Sequence, residues 1–266
     1  MAEPPVITFL SDYGLDDDFV GVCHAVITGL CPDARVIDLT HGVPRGDVRA
    51  GALILLGTLQ YLPVGVHLAV VDPGVGGGRR AVALRAAHGR LLVGPDNGLL
   101  SLAAEHVGGV VEAVDIGRSP FALPYVSATF HGRDIFAPVA ARLAGGASLG
   151  DAGEPCDPDG LVTLELPVAQ VVDGVLVAHV LYVDRFGNVQ LDVEEPQLEV
   201  TRVFEVSSPS GPSEEAPYVS TFADVGPGEL ILYEDSYRRL AVAVNQGDAA
   251  ARLKLAVDHE VRIRLS

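Results

Sequence analysis

The stretch VVDPGVGGGRR, residues 70–80, combines a carboxylate, a run of glycines and two arginines directly after an apolar segment. Glycine-rich loops at such positions hold phosphates when they open a helix or close on Gly-Lys-Ser/Thr. Here the glycines lead into Arg79, Arg80 and a second strand-like segment, so neither phosphate-binding motif applies. Asp72 remains at the carboxyl end of a buried strand, where open α/β sheets bind their ligands. An ordinary Asp-Pro-Gly turn is the alternative interpretation.

A second acidic segment, SDYGLDDDF, also follows a strand-like run. The two acceptor oxygens of Asp12 match the two hydroxyls of a ribose diol. Asp16, Asp17 and Asp18 suit the first turn of the next helix as capping residues, because negative charge there complements the helix dipole. Several carboxylates this close together also suit Mg²⁺, which leaves a metal site as the alternative.

Two more segments place polar side chains after apolar runs. In TFHGRDIF, His131 precedes a glycine at a helix start and is a candidate general base, oxyanion donor or simple helix-start contact. In YVDRFGNVQLDV, Asp184 interrupts a long apolar strand, Phe186 offers a face for stacking on a base, and Asn188 offers the donor and acceptor that an adenine edge needs. A β-turn between two hairpin strands explains the same pattern without a ligand.

The elements that must position these residues begin with an α/β pattern. Short β-branched runs alternate with helical periodicity, which predicts a domain with a central, mostly parallel sheet and flanking helices. Residues 144–160 are dense in Gly, Pro and Asp and are predicted to end this first domain, residues 1–160. The predicted strands are residues 6–10, 35–39, 67–72, 81–86, 90–94 and 110–115, and the predicted helices are residues 17–30, 47–60 and 133–143.

A second pattern begins at residue 161. Strand-like runs separated by turn residues predict a smaller, mainly antiparallel and barrel-like β domain, residues 161–266. Within it, AAARLKLA near the end has the periodicity of a short helix. Ser236 and Tyr237 precede one of the strands, and their position alone assigns them no role.

Composition narrows the class of protein. The 266 residues are 48% hydrophobic and 20% charged, as in ordinary globular proteins, and 18 Lys+Arg against 35 Asp+Glu give a net charge of −17. Nucleic acids and anionic membranes would repel so acidic a chain, which favours a neutral or cationic small ligand. The chain has no CxxC pair, no apolar run long enough to cross a bilayer and no basic signal-peptide region at its start. These features predict a cytoplasmic protein with reduced thiols.

Taken in order, these segments resemble one family, the S-adenosylmethionine (SAM) hydroxide adenosyltransferases or SAM hydrolases, relatives of the bacterial fluorinase and chlorinase. The resemblance rests on SDYG with its following DD, DLTHGVPRGDV, VDPGVGGGRR, GPDNGLL, FHGRDIFAPVAA and VDRFGN. It implies hydrolysis of SAM to adenosine and L-methionine without a metal or other cofactor. It also implies a homotrimer, with SAM bound between the first domain of one subunit and the second domain of its neighbour.

The resemblance implies a role for each candidate residue. Asp72, Arg79 and His131 match the group that positions and activates a water molecule, although spacing alone leaves Arg80 open as the arginine. The implied substrate contacts are Asp12 for the ribose hydroxyls, Asp184, Ser236 and Tyr237 for the methionine end, and Phe186 and Asn188 for the adenine.

The choice of nucleophile also follows from the resemblance. The halogenating relatives carry Tyr in place of the acid and Ser in place of the histidine, whereas this sequence has Asp72 and His131. An anionic Asp72 would also repel a halide ion. Three alternatives stay open on sequence: adenosyl transfer to a halide, a SAM or adenosine sensor without turnover, and a Mg²⁺-dependent nucleotide phosphohydrolase that uses residues 12–18.

Overall fold

The structure is a computed structural model that describes residues 3–209 and 211–265. The chain divides into two compact units, the first ending at Leu164 and the second beginning at Glu165. Within the described ranges, no helix is both long enough and apolar enough to cross a membrane. The three cysteines are free thiols, two of them buried, as the sequence predicts.

The described part of the first unit consists of short strands and four α-helices. The strands are β1 (Val6–Ser11), β2 (Arg35–Thr40), β3 (Val66–Val70), β4 (Ala81–Ala86), β5 (Leu91–Pro95), β6 (Val110–Asp115) and β7 (Glu154–Pro155). The helices are α1 (Phe19–Leu30), α2 (Val48–Leu59), α3 (Ser101–His106) and α4 (Ala137–Ala144).

These strands form one sheet in the order β2-β1-β3-β5-β4-β6-β7. The first four strands in this order are parallel, and β4, β6 and β7 are paired antiparallel, so the predicted α/β architecture is confirmed. The central strand β3 is buried along its whole length, as expected when helices cover both faces of a sheet. Alternate side chains of β1 point to opposite faces: Ile7 and Phe9 join the core that includes α1 and α4, whereas Leu10 lies near Gly51 of α2.

The helix starts in the first unit differ from one another in their capping. Asp47 precedes α2 and accepts a hydrogen bond from the N–H of Ala50 at 2.9 Å, which satisfies one of the free donors at the helix start. Asp18 precedes α1 but makes no such bond, and no acidic residue lies in the first turn of α1. The backbone of Asp18 is already helical, so its side chain is not turned back toward the free N–H groups. The prediction that Asp16, Asp17 and Asp18 cap this helix is therefore wrong.

Two boundaries that matter for the site differ from the predicted ones. Strand β3 ends at Val70 rather than at residue 72, so Asp72 lies on the turn beyond the strand. The helix predicted for residues 133–143 is two segments, a π-helical turn at Gly132–Phe136 followed by α4. π-Helical turns are rare and are frequently found at functional sites.

The described part of the second unit is mainly β-structure with one short α-helix, α5 (Ala249–Leu253), at the predicted position. The strands are β8 (Gln170–Val172), β9 (Val175–Val183), β10 (Val189–Glu194), β11 (Val203–Ser207), β12 (Ser213–Pro217), β13 (Leu230–Glu234), β14 (Arg239–Val244) and β15 (Glu260–Arg264).

The strands of the second unit form one antiparallel sheet in the order β12-β11-β15-β9-β10-β14-β13, with β8 paired to β9. The two ends of this order approach each other, because Tyr218, just after β12, bridges to Leu232 of β13. The sheet therefore curls into a nearly closed barrel, and the predicted barrel-like fold is confirmed. Its interior is filled by apolar side chains from every long strand, such as Val180, Leu191 and Val242.

Candidate active site

Asp12 and Asp72 follow neighbouring parallel strands at the same edge of the first unit's sheet. Ser11, the last residue of β1, is paired with Val70, the last residue of β3. The two carboxylates follow these paired residues by one and two positions. This edge, at the carboxyl ends of parallel strands, is where α/β sheets bind their ligands.

Asp72, Arg79 and His131 are hydrogen-bonded to one another. Arg79 donates from Nε to Oδ1 of Asp72 at 2.8 Å and from Nη2 to Oδ2, which makes a bidentate ion pair. The same Nη2 lies 2.9 Å from Nδ1 of His131. The side chains of Asp72 and Arg79 are only 6% and 12% exposed, so water screens their interaction weakly. The arginine thus fixes the positions of both the carboxylate and the imidazole.

The protonation of His131 follows from this contact. A guanidinium can only donate, so Nδ1 of His131 accepts, and the neutral ring carries its hydrogen on Nε2. Burial and the positive charge of Arg79 lower the pKa of His131 below its usual value, although the charges of Asp72 and Asp134 oppose this. At neutral pH His131 is therefore a neutral imidazole that presents an N–H group at Nε2.

The structure distinguishes the two adjacent arginines. Arg80 does not contact Asp72; its guanidinium binds the carboxylate of Asp96, with Nε 2.8 Å from Oδ2, and the carbonyl oxygen of Gly160. Arg79 is the arginine that joins the acid to the histidine. The two arginines, which spacing alone could not distinguish, therefore differ in the carboxylate that each one binds.

Two glycines allow the loops of this cluster to approach closely. Gly76 has φ of +74°, and a Cβ atom there would lie 2.3 Å from the carbonyl oxygen of Ala128. A Cβ atom at Gly132 would lie 2.0 Å from the phenol oxygen of Tyr13. A larger residue at position 76 would push apart the segments that carry Arg79 and His131, and one at position 132 would push the His131 segment away from Tyr13.

Tyr13 is a neighbour of the cluster that the sequence analysis did not single out. Burial raises its pKa well above the usual value, and the charges of Cys23, Asp12 and Asp72 raise it further. Tyr13 is therefore a neutral phenol beside the two carboxylates. Its position in SDYG, directly after Asp12, is the signal from which it could have been predicted.

Asp12 is half-buried, and its Oδ2 accepts a hydrogen bond of 2.8 Å from the N–H of Gly46. Its remaining acceptor capacity is available to a diol.

Asp16, Asp17 and Asp18 are exposed. Among the described residues, the cluster of side chains able to hold a metal ion lies elsewhere and includes none of these acids. The Mg²⁺ interpretation of residues 12–18 therefore gains no support.

The second unit contains a cavity of about 800 Å³. All the residues predicted from its sequence to bind substrate line this cavity, namely Asp184, Phe186, Asn188, Ser236 and Tyr237. Phe186 is 62% exposed, which leaves a ring face accessible for stacking.

Asp184 holds the turn between β9 and β10. Its Oδ1 accepts from the N–H groups of Phe186 and Asn188, at 2.8 and 2.9 Å, and its Oδ2 accepts from Nδ2 of Asn188 at 2.8 Å. Gly187, at φ of +77°, completes the turn. The β-turn interpretation is thus correct, and the turn also carries Phe186 and Asn188 into the cavity.

Asp235 plays the same part for the other wall of the cavity, and the sequence analysis missed it. Its Oδ1 accepts from the N–H groups of Tyr237 and Arg239, at 2.8 and 2.9 Å, and its Oδ2 accepts from Nε2 of Gln190 at 2.6 Å. Asp235 therefore positions Ser236 and Tyr237. The signal was an aspartate at the end of a strand, which is also where Asp184 occurs.

The fold and these two groups of residues define a two-domain ligand-binding protein with a polar cluster at a sheet edge and a cavity beside the strands of a β-barrel. Two family models match the chain. The SAM hydroxide adenosyltransferase N-terminal domain matches residues 7–153, and the SAM hydroxide adenosyltransferase C-terminal domain matches residues 178–262. The chain belongs to the SAM hydroxide adenosyltransferase family.

Known relatives agree with this membership. The chain is 52% and 51% identical, over 264 residues, to proteins named (R)-S-adenosyl-L-methionine hydrolase from Salinispora tropica and Salinispora arenicola, and each alignment covers 99% of both chains. A fluorinase from Nocardia brasiliensis is more distant, at 30% identity over 98% of this chain and 97% of the fluorinase. A solved structure of an uncharacterized conserved protein from Thermotoga maritima has a TM-score of 0.89 and 35% identity, and covers 97% of this chain and 99% of that one.

Proposed function

We propose that this protein hydrolyses SAM to adenosine and L-methionine by attack of water at the ribose C5′ atom. The observation that carries the proposal is the Asp72–Arg79–His131 cluster, in a chain whose most similar relatives named above are SAM hydrolases. Hydrolysis breaks the bond between C5′ and sulfur, and the electron pair stays on sulfur as a neutral thioether. Because a neutral thioether leaves from a cationic sulfonium, the reaction needs no general acid.

The nucleophile is the difficult part of this reaction. Bulk water has a pKa near 15.7, so the water must lose a proton as it attacks or be held in line with the breaking bond. Fixing it about 3–3.5 Å from C5′ removes part of the barrier by itself. The carboxylate of Asp72 retains lone pairs beyond its two bonds to Arg79 and accepts the water proton, which then passes to solvent.

His131 and Arg79 have different tasks in this mechanism. The Nε2–H group of neutral His131 donates to the water oxygen and orients a lone pair toward C5′. The guanidinium of Arg79 holds the Asp72 side chain in place, and its charge stabilises the hydroxide that develops. This division is a refinement of the sequence-based hypothesis that Asp72 and His131 both accept or orient water protons.

The ion pair between Asp72 and Arg79 changes the reason why water is favoured over a halide as the nucleophile. The charge of Asp72 is balanced by Arg79, so simple repulsion of an anion is reduced. A carboxylate acceptor, however, stabilises a nucleophile that has a proton to donate, and a halide has none. Asp72 therefore favours water because it can accept a hydrogen bond from water and cannot accept one from a halide.

The substrate contacts are assigned from the side-chain chemistry of Asp12 and of the residues that line the cavity. Asp12 binds the ribose hydroxyls through its second oxygen. Asn188 uses one N–H on Asp184, which leaves one donor and its carbonyl for the adenine edge, while Phe186 stacks on the ring. The methionine ammonium and carboxylate groups bind to Asp184, Ser236 and Tyr237.

The remaining parts of the proposal come from the resemblance. The two groups of residues meet in a homotrimer, each active site taking the first unit of one subunit and the second unit of its neighbour. The reaction requires no metal ion or redox cofactor. A cytoplasmic location is proposed because the three cysteines are free thiols, as is usual in reducing compartments.

The test is incubation of the purified protein with SAM in ¹⁸O-water, with and without chloride and with and without Mg²⁺, followed by mass spectrometry. Adenosine that carries ¹⁸O at the 5′ position, in equal amounts under all four conditions, is the expected product. A chlorinated nucleoside would establish halide transfer, and bound SAM without turnover would establish a sensor. In a parallel incubation with a nucleoside triphosphate in place of SAM, phosphate release only with Mg²⁺ would establish the phosphohydrolase.

A further inference from the structure

Three metal-binding side chains converge in the first unit, outside the Asp72 cluster. They are His24 of α1, Asp38 of β2 and His41 just beyond β2. The Nε2 atoms of His24 and His41 lie 2.9 and 3.1 Å from the same carboxylate oxygen, Oδ1 of Asp38. One ligand atom from each residue lies within 4.8 Å of both others. Because the three residues come from separate elements, the tertiary fold brings them together.

His41 supplies an independent sign that something is bound. Its side chain is only 2% exposed, and among the described residues its Nε2 is a buried polar atom that makes no hydrogen bond. Oδ1 of Asp38 is close to this nitrogen but not aligned with it for hydrogen bonding. A buried polar atom without a partner is costly, and native proteins rarely tolerate one.

The other nitrogen of His41 is positioned as it is in metal sites. Nδ1 lies 2.7 Å from the hydroxyl oxygen of Ser11. When Nδ1–H donates to this oxygen, Nε2 holds a lone pair that faces Asp38 and His24. Metal-binding histidines almost always donate their second N–H group in this way, which fixes the tautomer and the ring orientation.

We propose that His24, Asp38 and His41 bind a divalent transition-metal ion of the Zn²⁺ type, with Nε2, a carboxylate oxygen and Nε2 as ligands and water in the fourth position. Zinc binds such ligands at about 2.0–2.2 Å in a tetrahedron, which separates neighbouring ligand atoms by roughly 3.3 Å. The two Nε2 atoms lie 2.9 and 3.1 Å from Oδ1 of Asp38, so they need to move away from it by only a few tenths of an ångström. His24 and Asp38 are 35% and 40% exposed, so the ion has a path from solvent.

The ion would stabilise the loop that begins at the end of β1. The carbonyl oxygen of His41 accepts from the N–H of Gly14 at 2.7 Å, and the hydroxyl of Ser11 accepts from the N–H of Tyr13 at 3.3 Å. Residues on both sides of Asp12 are thus held by residues of the metal site. Binding of Zn²⁺ ties α1, β2 and this loop together and raises the melting temperature by mass action.

The experiment uses the full chain, stripped of metal with a chelator and dialysed, and titrates it with Zn²⁺ in the absence of SAM. Isothermal titration calorimetry and metal analysis are expected to give about one Zn²⁺ per chain. His24→Gln and Asp38→Asn each remove one ligand and are expected to weaken Zn²⁺ binding by about 100-fold or more. Loss of a group that only hydrogen-bonds to a metal ligand already lowers metal affinity by about 10–100-fold. His106→Gln, an exposed histidine at the end of α3, is the matched control and keeps the wild-type affinity.

Melting temperatures distinguish loss of the site from loss of the fold. Without metal, His24→Gln and Asp38→Asn should melt close to the wild type, because both side chains are partly exposed. With excess Zn²⁺, only the wild type and His106→Gln should gain stability. The proposal is overturned if the wild type binds no Zn²⁺, or if His24→Gln and Asp38→Asn bind it as tightly as the wild type.

Discussion

The polar residues of the first unit and those of the second unit are held in place by different means. Asp72 is fixed by a bidentate pair with Arg79, and the arginine in turn fixes His131. Asp184 and Asp235 are fixed by backbone N–H groups of their own turns. The first arrangement places buried charges where the proposed reaction develops charge, and the second shapes a cavity wall. We therefore expect changes to Asp72, Arg79 and His131 to alter kcat, and changes to the residues that line the cavity to alter KM.

The largest effect is expected for Asp72. Asp72→Asn and Asp72→Ala remove the acceptor for the water proton and should lower kcat by about 10³-fold, the usual range for loss of a general base. SAM binding, measured by calorimetry, should change much less. Equal losses in kcat and in binding affinity would place Asp72 in ground-state binding and would remove the distinction between the two units.

The two adjacent arginines allow a matched comparison. Arg79→Lys keeps the charge but loses the fork that binds Asp72 and His131 together, so kcat should fall by about 10²-fold. Arg80→Lys disturbs a similar pair with Asp96 and should lower the denaturation midpoint while leaving kcat near the wild-type value. Steady-state kinetics and urea unfolding of both variants test this. Similar kinetic losses in the two variants would contradict the assignment of Arg79.

The pH dependence of stability is expected to reside partly in His67 of β3. Burial, and to a smaller extent the charge of Arg90, lower its pKa from 6.5 to about 4. The unfolded chain therefore binds a proton below pH 6.5 that the folded chain does not, so the free energy of unfolding decreases as the pH falls from 6.5 toward 4. The loss is about 3 kcal/mol, from 1.36 kcal/mol per pKa unit.

Urea unfolding of the wild type and of His67→Gln between pH 4.5 and pH 7 measures this term. The variant should lose less stability than the wild type over the same interval, whatever its stability at pH 7. Parallel curves would show that His67 is not the group responsible.

The smallest effect is expected in the second unit. Asn188→Ala removes a donor and an acceptor for the adenine edge while Asp184 keeps its backbone hydrogen bonds. KM for SAM should rise about tenfold, the equivalent of one hydrogen bond, with kcat nearly unchanged. Replacing SAM by an analogue without the adenine amino group should cost the wild type more than the variant. A fall in kcat at constant KM would show that this turn contributes to catalysis instead.

Local sequence patterns predicted the fold well because helices and strands depend mainly on interactions between residues close together in the sequence. Alternating β-branched and helical segments fixed the positions of β1 to β6 and three helices to within a few residues. The short helix α3 was missed, since six residues give too little periodicity to recognise. Capping by Asp16–Asp18 was wrong because residue type alone does not set the backbone angle that a cap requires.

The site residues also divide into those that local sequence patterns predicted and those that they did not. Asp72, Asp12 and Asp184 could be singled out because each follows an apolar strand. The choice between Arg79 and Arg80 could not be made, since it depends on which side of the chain each faces. The group His24, Asp38 and His41 was not predicted at all, because its members are brought together by packing and share no spacing in the sequence.

The π-helical turn at Gly132–Phe136 makes the histidine sensitive to a particular genetic event. A π turn contains one residue more than an α-helical turn spanning the same rise, and each residue of an α-helix rotates the chain by about 100°. A one-codon deletion in this turn would convert it into regular α-helix and leave the sheet and the Asp72–Arg79 pair intact. We expect His131 then to point away from Arg79, so loss of a single codon would break the hydrogen bond between Nη2 and Nδ1 while the fold is kept.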